Sequence, residues 1–186
     1  MMKQILKVLL LMLVTGSAGF AFLYSGIYPM GADSPHTSLT YWALETLREH
    51  SIERASRTLV LPDLSSPDLI LAGGADYNEM CSACHLEPGK RGSDMSAGLY
   101  PQPPNLTIPP FLHRVDDNSE RTSNLAREQF WVIKHGIKAS GMPAWGKTHD
   151  DQRIWAMVAF LQQLPRLDSA QYQILTARGN TEEAHH

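Results

Sequence analysis

Hydrophobic and polar positions follow three different patterns along the chain. From Val8 to Ala32 there is no charge, and Lys3 and Lys7 stand just before this run. A helix from Val8 to Tyr28 would rise about 31 Å, close to the hydrocarbon thickness of a bilayer. From Thr37 to Thr58, Leu39, Trp42, Ala43, Leu47, Ile52 and Ala55 recur at roughly helical spacing, with Glu45, Arg48, Glu49, Glu53 and Arg54 between them. This predicts an amphipathic helix. Its apolar stripe either packs on the downstream domain or docks a membrane surface or a partner. Leu59 to Pro67, with two prolines and two serines, reads as a linker.

Beyond it the pattern predicts a compact helical domain. Helices are expected over Asp68–Cys84, Leu125–Gly136 and Asp150–Leu164. The last carries the stripe Ile154, Met157, Val158 and Leu161, starts near Asp150 or Asp151 and stops before Pro165. The Pro-rich stretch Gly98–Pro110 is expected to be irregular, because proline lacks the backbone donor. Gly141–Gly146 reads as a tight loop. No strand-like alternation and no internal repeat is present. The fold class is therefore all-α. The boundaries are 1–32 for a transmembrane anchor or signal peptide, 33–66 for the amphipathic helix and linker, 67–167 for the domain, and 168–186 for a polar tail ending in His185 and His186.

Two readings fit the N-terminus. A cleaved signal peptide would use Val8–Val14 as its core, with cleavage after Ala18 or Ala21. A retained anchor accounts better for the apolar residues that continue through Phe20, Phe22, Leu23, Tyr24 and Ile27. Tyr24 and Tyr28 would sit in the interfacial aromatic belt. No Lys or Arg follows Lys7 until Arg48, so the N-terminus belongs in the cytoplasm and the remainder outside it. Both readings export the domain, to the periplasm of a bacterial inner membrane.

Composition removes several function classes. Net charge is −3 with 19% charged residues, so nothing points to nucleic acid. A hydrophobic content of 43% argues against wholesale disorder. Two cysteines exclude a disulfide-dense scaffold and a four-cysteine zinc module.

Those two cysteines lie in Cys81-Ser82-Ala83-Cys84-His85, a CxxCH attachment signature for c-type haem. Two thiols must reach two vinyl groups of one porphyrin, so they sit about one helical turn apart. The histidine that follows lies under the iron and offers an imidazole nitrogen. Chance would produce the pattern about once in two thousand such chains. A thioredoxin-type pair would follow a strand, whereas a helical run precedes this one. A zinc site needs two more ligands, and the next histidine, His113, is distant. A structural disulfide across two residues is uncommon. For the opposite face of the iron the first candidate is Met142, in Gly141-Met142-Pro143, where Pro143 stiffens the backbone and Gly141 and Gly146 would permit close approach to a flat macrocycle. Met95 and His135 are rivals, and an open position is a further alternative. Met157 reads as core filler, and Met80 abuts Cys81 on the wrong face.

By these motifs, the stretch from Asp68 to Pro165 resembles a class I monohaem cytochrome c, especially the short bacterial form with Met-Pro in its ligand loop. CSACH and GMPAWG are the specific matches. Gly73 and Tyr77, eight and four residues before Cys81, match a helix-crossing glycine and aromatic of that family, and Met157–Leu161 matches its partner helix with Phe160 as aromatic. The resemblance implies one haem c held by Cys81 and Cys84, with His85 and Met142 as axial ligands. It further implies a proline carbonyl, Pro103 or Pro104, accepting the His85 ring N–H. Trp131 and Trp145 are either haem neighbours or core.

The implied function is electron carriage, not catalysis, between a redox protein donor and acceptor, by a protein held to the membrane through its N-terminal helix. The alternatives are a haem c subunit of a multi-subunit dehydrogenase or oxidoreductase complex, and a gas sensor. Lys134, Lys138 and Lys147 around the Met142 loop, with Lys90 and Arg91, are expected to form a lysine rim that steers an acidic partner.

Overall fold

The computed structural model describes residues 1–108 and 119–177. Among the described residues the secondary structure is helical throughout, with no strand, and the chain divides into two units at Ser34/Pro35. His113, Pro109, Pro110, His185 and His186 lie outside the described residues.

The first unit is built on α1, Met2–Tyr24. It is long and apolar enough to cross a membrane, and none of its residues is buried within the protein.

The second unit begins with α2, Ser38–Ser56, whose N-cap Thr37 accepts a hydrogen bond from the Thr40 amide. The expected helix forms, but the expected stripe is divided. Ile52 and Ser56 turn inward with the Glu45–Arg48 pair, whereas Leu39, Trp42 and Leu47 stay exposed. The reason is the neighbour: α2 lies on α6, and its buried face follows Glu45, Arg48, Ile52 and Ser56 at one-turn intervals. The segment read as a linker is likewise part of this unit. Leu59, Leu61 and Leu64 pack against the core, and the Leu59 carbonyl accepts a 2.9 Å hydrogen bond from the Arg127 guanidinium.

The core forms where α3, Pro67–Met80, crosses α7, Asp151–Gln163. Pro67 occupies the first turn of α3, where its missing amide costs nothing. Asp150 caps α7 by accepting the Arg153 amide at 2.8 Å. Gly73 makes the crossing close, since a Cβ there would lie 1.9 Å from the Ala156 carbonyl oxygen. Tyr77 and Phe160 then fill it, with ring centroids 5.3 Å apart and both rings almost wholly buried. Two such side chains contribute about 1.5–3 kcal/mol each through burial.

The helices depart from the expected boundaries in three places. The helix expected over 68–84 stops at Met80, and a short helix α4, Ser82–His85, follows; at Cys81, φ of −115° breaks the regular ladder. α6 runs from Ser119 to His135, starting earlier than expected and ending at Gly136 as expected. The polar tail expected from residue 168 opens instead with a helix, α8, Ser169–Thr176, capped reciprocally by Asp168 and Gln171. It packs on α3 and buries Tyr172 against Tyr77 and Phe160. The remaining short elements are α5, Asp94–Ala97, and 3₁₀ turns at Trp145–Lys147 and Leu164–Arg166.

Candidate functional site

The end of α3 and the turn of α4 place Cys81, Cys84 and His85 together. Both thiols are unpaired. The amides of Cys84 and His85 both donate to the Cys81 carbonyl, at 3.1 and 2.8 Å, which winds the motif into one tight turn. Burial pushes the Cys81 thiol up to about 12, helped by the Asp76 carboxylate and by Cys84.

His85 is gripped from three sides. Its ring Nδ1 lies 2.9 Å from the Pro104 carbonyl oxygen, which decides between the two prolines. The Leu106 amide donates to the His85 carbonyl at 3.2 Å. The Tyr77 hydroxyl donates to the Leu86 carbonyl at 2.7 Å and reaches that of His85 at 3.2 Å. Leu86 itself takes φ of +73°, a conformation costly for a branched side chain, and buries that side chain. With Nδ1–H donating to Pro104, the lone pair is left on Nε2. Burial lowers the His85 pKa and the Pro104 carbonyl partly opposes it, so the ring is neutral at pH 7 and able to ligate. Beyond Pro104, Asn105 accepts from the amide and hydroxyl of Thr107, at 3.0 and 2.7 Å, which closes the loop.

Met142 sits in a loop returning from α6. Gly136 has φ of +65°, and a Cβ there would lie 2.7–2.9 Å from the backbone of Met142, Pro143 and Ala144. The loop is then tied by the Ile137 amide to the Met142 carbonyl at 3.2 Å, and by the Met142 amide to the Ser140 hydroxyl at 3.1 Å. A Cβ at Gly141 would lie 2.6 Å from the Leu99 side chain, and one at Gly146 2.6 Å from that of Lys134. Met142, Cys81, Leu106 and Trp145 are half-buried and pack against the same core. The rival donors are placed differently. Met95 is exposed on α5, Met157 is buried in the core, and Met80 packs beside Cys81. His135 is exposed at the end of α6, its ring against Trp131 with centroids 4.8 Å apart.

Of the five cations expected around this loop, two are ion-paired. Lys134 pairs with Asp151 at 2.5 Å and covers the Phe130 ring, and Lys90 pairs with Glu87 at 2.7 Å. Lys138, Lys147 and Arg91 remain exposed. One ion pair gave no signal in the sequence: the nearly buried Asp76 accepts two hydrogen bonds from Arg153, at 2.6 and 2.8 Å. Its partners are far apart in sequence, and only the helix crossing brings them together.

The donor set fits one covalently held haem: two free thiols on one turn, an imidazole whose second nitrogen is already bonded, and a thioether on a fixed loop. Among the described residues no strand precedes the cysteines, and no group of three or more His, Cys, Asp or Glu could hold a metal ion.

A family model described as cytochrome c oxidase, cbb3-type, subunit III matches residues 68–161. No curated protein and no solved structure matches the chain.

Proposed function

The chain belongs to this family of c-type cytochrome domains, it carries covalent haem c on Cys81 and Cys84, and its role is electron transfer; from that premise we propose a membrane-tethered periplasmic carrier of single electrons whose axial ligands are His85 and Met142. The observation that carries the reading is the clasp on His85. The Pro104 carbonyl accepts a hydrogen bond from Nδ1–H and favours that tautomer, so the Nε2 lone pair would be the one offered to the iron. Leu106 and Tyr77 hold the backbone of the same residue, which keeps ligand geometry constant between oxidation states. Met142 supplies a soft sulfur on a loop with little freedom, because Gly136, Ser140 and Ile137 close it. When bound, the haem supplies a one-electron iron couple, and methionine ligation raises its potential. With both His85 and Met142 held to the iron, no position would be left for substrate, which suits a carrier of single electrons.

α1 serves as the tether, with the domain on the periplasmic side. A second reading, a haem c subunit of a multi-subunit oxidoreductase, is favoured by the family description, which names an oxidase subunit. In that case donor and acceptor are neighbours in one complex.

Two measurements test the proposal. Reduced protein at neutral pH should bind carbon monoxide slowly if at all; rapid binding would indicate a sensor. The chain should stay with membranes after a high-salt wash, since apolar insertion is not screened by ions. Soluble protein beginning at Gly19 or Phe22 would establish a cleaved leader instead.

A further inference from the structure

We propose that the first half of α2 lies in the headgroup region of the bilayer, with Leu39, Trp42 and Leu47 inserted, as a second membrane contact beside the tether. The inference rests on the tether reading of α1. Leu39, Trp42 and Leu47 are 72%, 64% and 68% exposed on the side of α2 away from α6. A soluble domain of this size has little reason to leave three large apolar side chains together on two and a half turns of helix in water.

Position along the helix selects the occupant. The apolar residues are confined to the half nearest α1 in the chain. After Leu47 the outward positions turn to His50, Arg54 and Arg57. Only Ser25 to Thr37 separates the end of α1 from the start of α2, a span of at most about 45 Å. The apolar half is thus the half nearest the tether along the chain, where its local concentration at a bilayer would be highest. Trp and Tyr carry an apolar ring with a polar tip, which suits the headgroup boundary. Charge does not drive the contact: Glu45 pairs with Arg48 and Glu53 with Arg57, so these charges are balanced within the segment. Insertion of apolar surface does, and the tether lets a weak helix affinity suffice by raising local concentration.

The contact would fix the stance of the haem site. The His36 amide donates to the Tyr100 hydroxyl at 3.3 Å, and their rings meet edge to face at 5.3 Å. The start of α2 is therefore bound to the loop that carries Pro104, and lipid contact at one orients the other.

The test uses full-length holoprotein reconstituted into phosphatidylcholine vesicles. Both native cysteines are consumed by the haem, so Leu39→Cys, Trp42→Cys, Leu47→Cys and Arg54→Cys variants each carry one free thiol. A membrane-impermeant maleimide should label positions 39, 42 and 47 at least about tenfold more slowly than 54. A phospholipid with a photoreactive headgroup-proximal group should cross-link to the protected positions. Replacing part of the phosphatidylcholine by anionic lipid should change neither result. Equal labelling at all four positions in protein that floats with the vesicles overturns the proposal while leaving the tether intact. Protection without lipid adducts overturns it too, and assigns the face to a second copy of the chain. Failure to float removes the tether reading itself and this inference with it.

Discussion

A Cβ on Gly73 would sit 1.9 Å from the carbonyl oxygen of Ala156, so α3 and α7 meet backbone to backbone. No side chain can move aside to admit a methyl group there. Gly73→Ala should therefore force the helices apart and loosen Tyr77 on Phe160. A loss of about 3 kcal/mol is expected, at the upper end for overpacking. Denaturant unfolding of the holoprotein, followed by Soret absorbance, measures it. Gly92→Ala is the control: nothing lies within 4 Å of its Cβ position, and its effect should stay within about 0.5 kcal/mol.

Met142→Ala tests the distal ligand. Its loop is closed by backbone and Ser140 contacts that do not involve the side chain, so the fold should persist. The ferric sulfur-to-iron charge-transfer band in the far red should vanish, and the potential should drop. If the band persists, another sulfur is the ligand, and Met95, exposed on α5, is the first to examine.

Tyr77→Phe separates two roles of one residue. The ring stays to fill the crossing, but the hydroxyl that binds the Leu86 and His85 carbonyls is lost. Leaving a buried carbonyl unpaired costs about 1–3 kcal/mol. The unfolding free energy should fall by that amount while the far-red band remains. A variant as stable as the parent would mean that Leu106 alone holds the turn.

The haem attachment motif, the crossing residues Gly73, Tyr77 and Phe160, and the helix stops at Gly136 and Pro165 were legible because each is a local signal. A short motif, an i, i+4 pair or a chain terminator needs no knowledge of the rest of the fold. The inward face of α2 was not legible, since it depends on where α6 lies. There a salt-bridged Glu45–Arg48 pair takes positions that composition alone assigns to solvent. α8 escaped notice because its outward residues make the stretch look polar, while Tyr172 finds its pocket only once α3 and α7 have crossed. The choice of Pro104 over Pro103 likewise rests on the reach of a loop, which sequence spacing does not encode.

His149 should make stability fall on the acid side. Its Nε2 is buried without a partner, while Nδ1 lies 2.8 Å from the Thr148 hydroxyl. Burial, and then the Arg153 charge, hold its pKa below the ordinary 6.5, against the opposing pull of Asp76 and Asp150. The unfolded chain therefore takes up a proton that the native state resists. The neutral ring's contribution is fully present above 6.5 and is lost as pH falls toward the lower folded value. Denaturation midpoints at about pH 7.5 and about pH 5.5 should differ less in His149→Leu than in the parent. An equal acid loss in both proteins would place the effect on other groups.

Lysines near the Met142 loop can steer an acidic redox partner and raise its association rate by roughly 10–1,000-fold. The structure divides them into two kinds. Lys134 is bound to Asp151 and covers Phe130, so its charge is largely spent within the protein. Lys138 and Lys147 are exposed and make no ion pair among the described residues. A Lys138→Glu, Lys147→Glu double variant should therefore slow electron transfer to the native acceptor in membranes by about tenfold at low salt, and added salt should narrow the gap. Lys134→Glu should act differently: it places a glutamate opposite Asp151 and lowers stability, with less effect on the association rate. Steady-state oxidation in vesicles as a function of ionic strength, together with thermal melts of both variants, distinguishes the two kinds of lysine. A rate indifferent to salt and to the double charge reversal would move docking away from this loop.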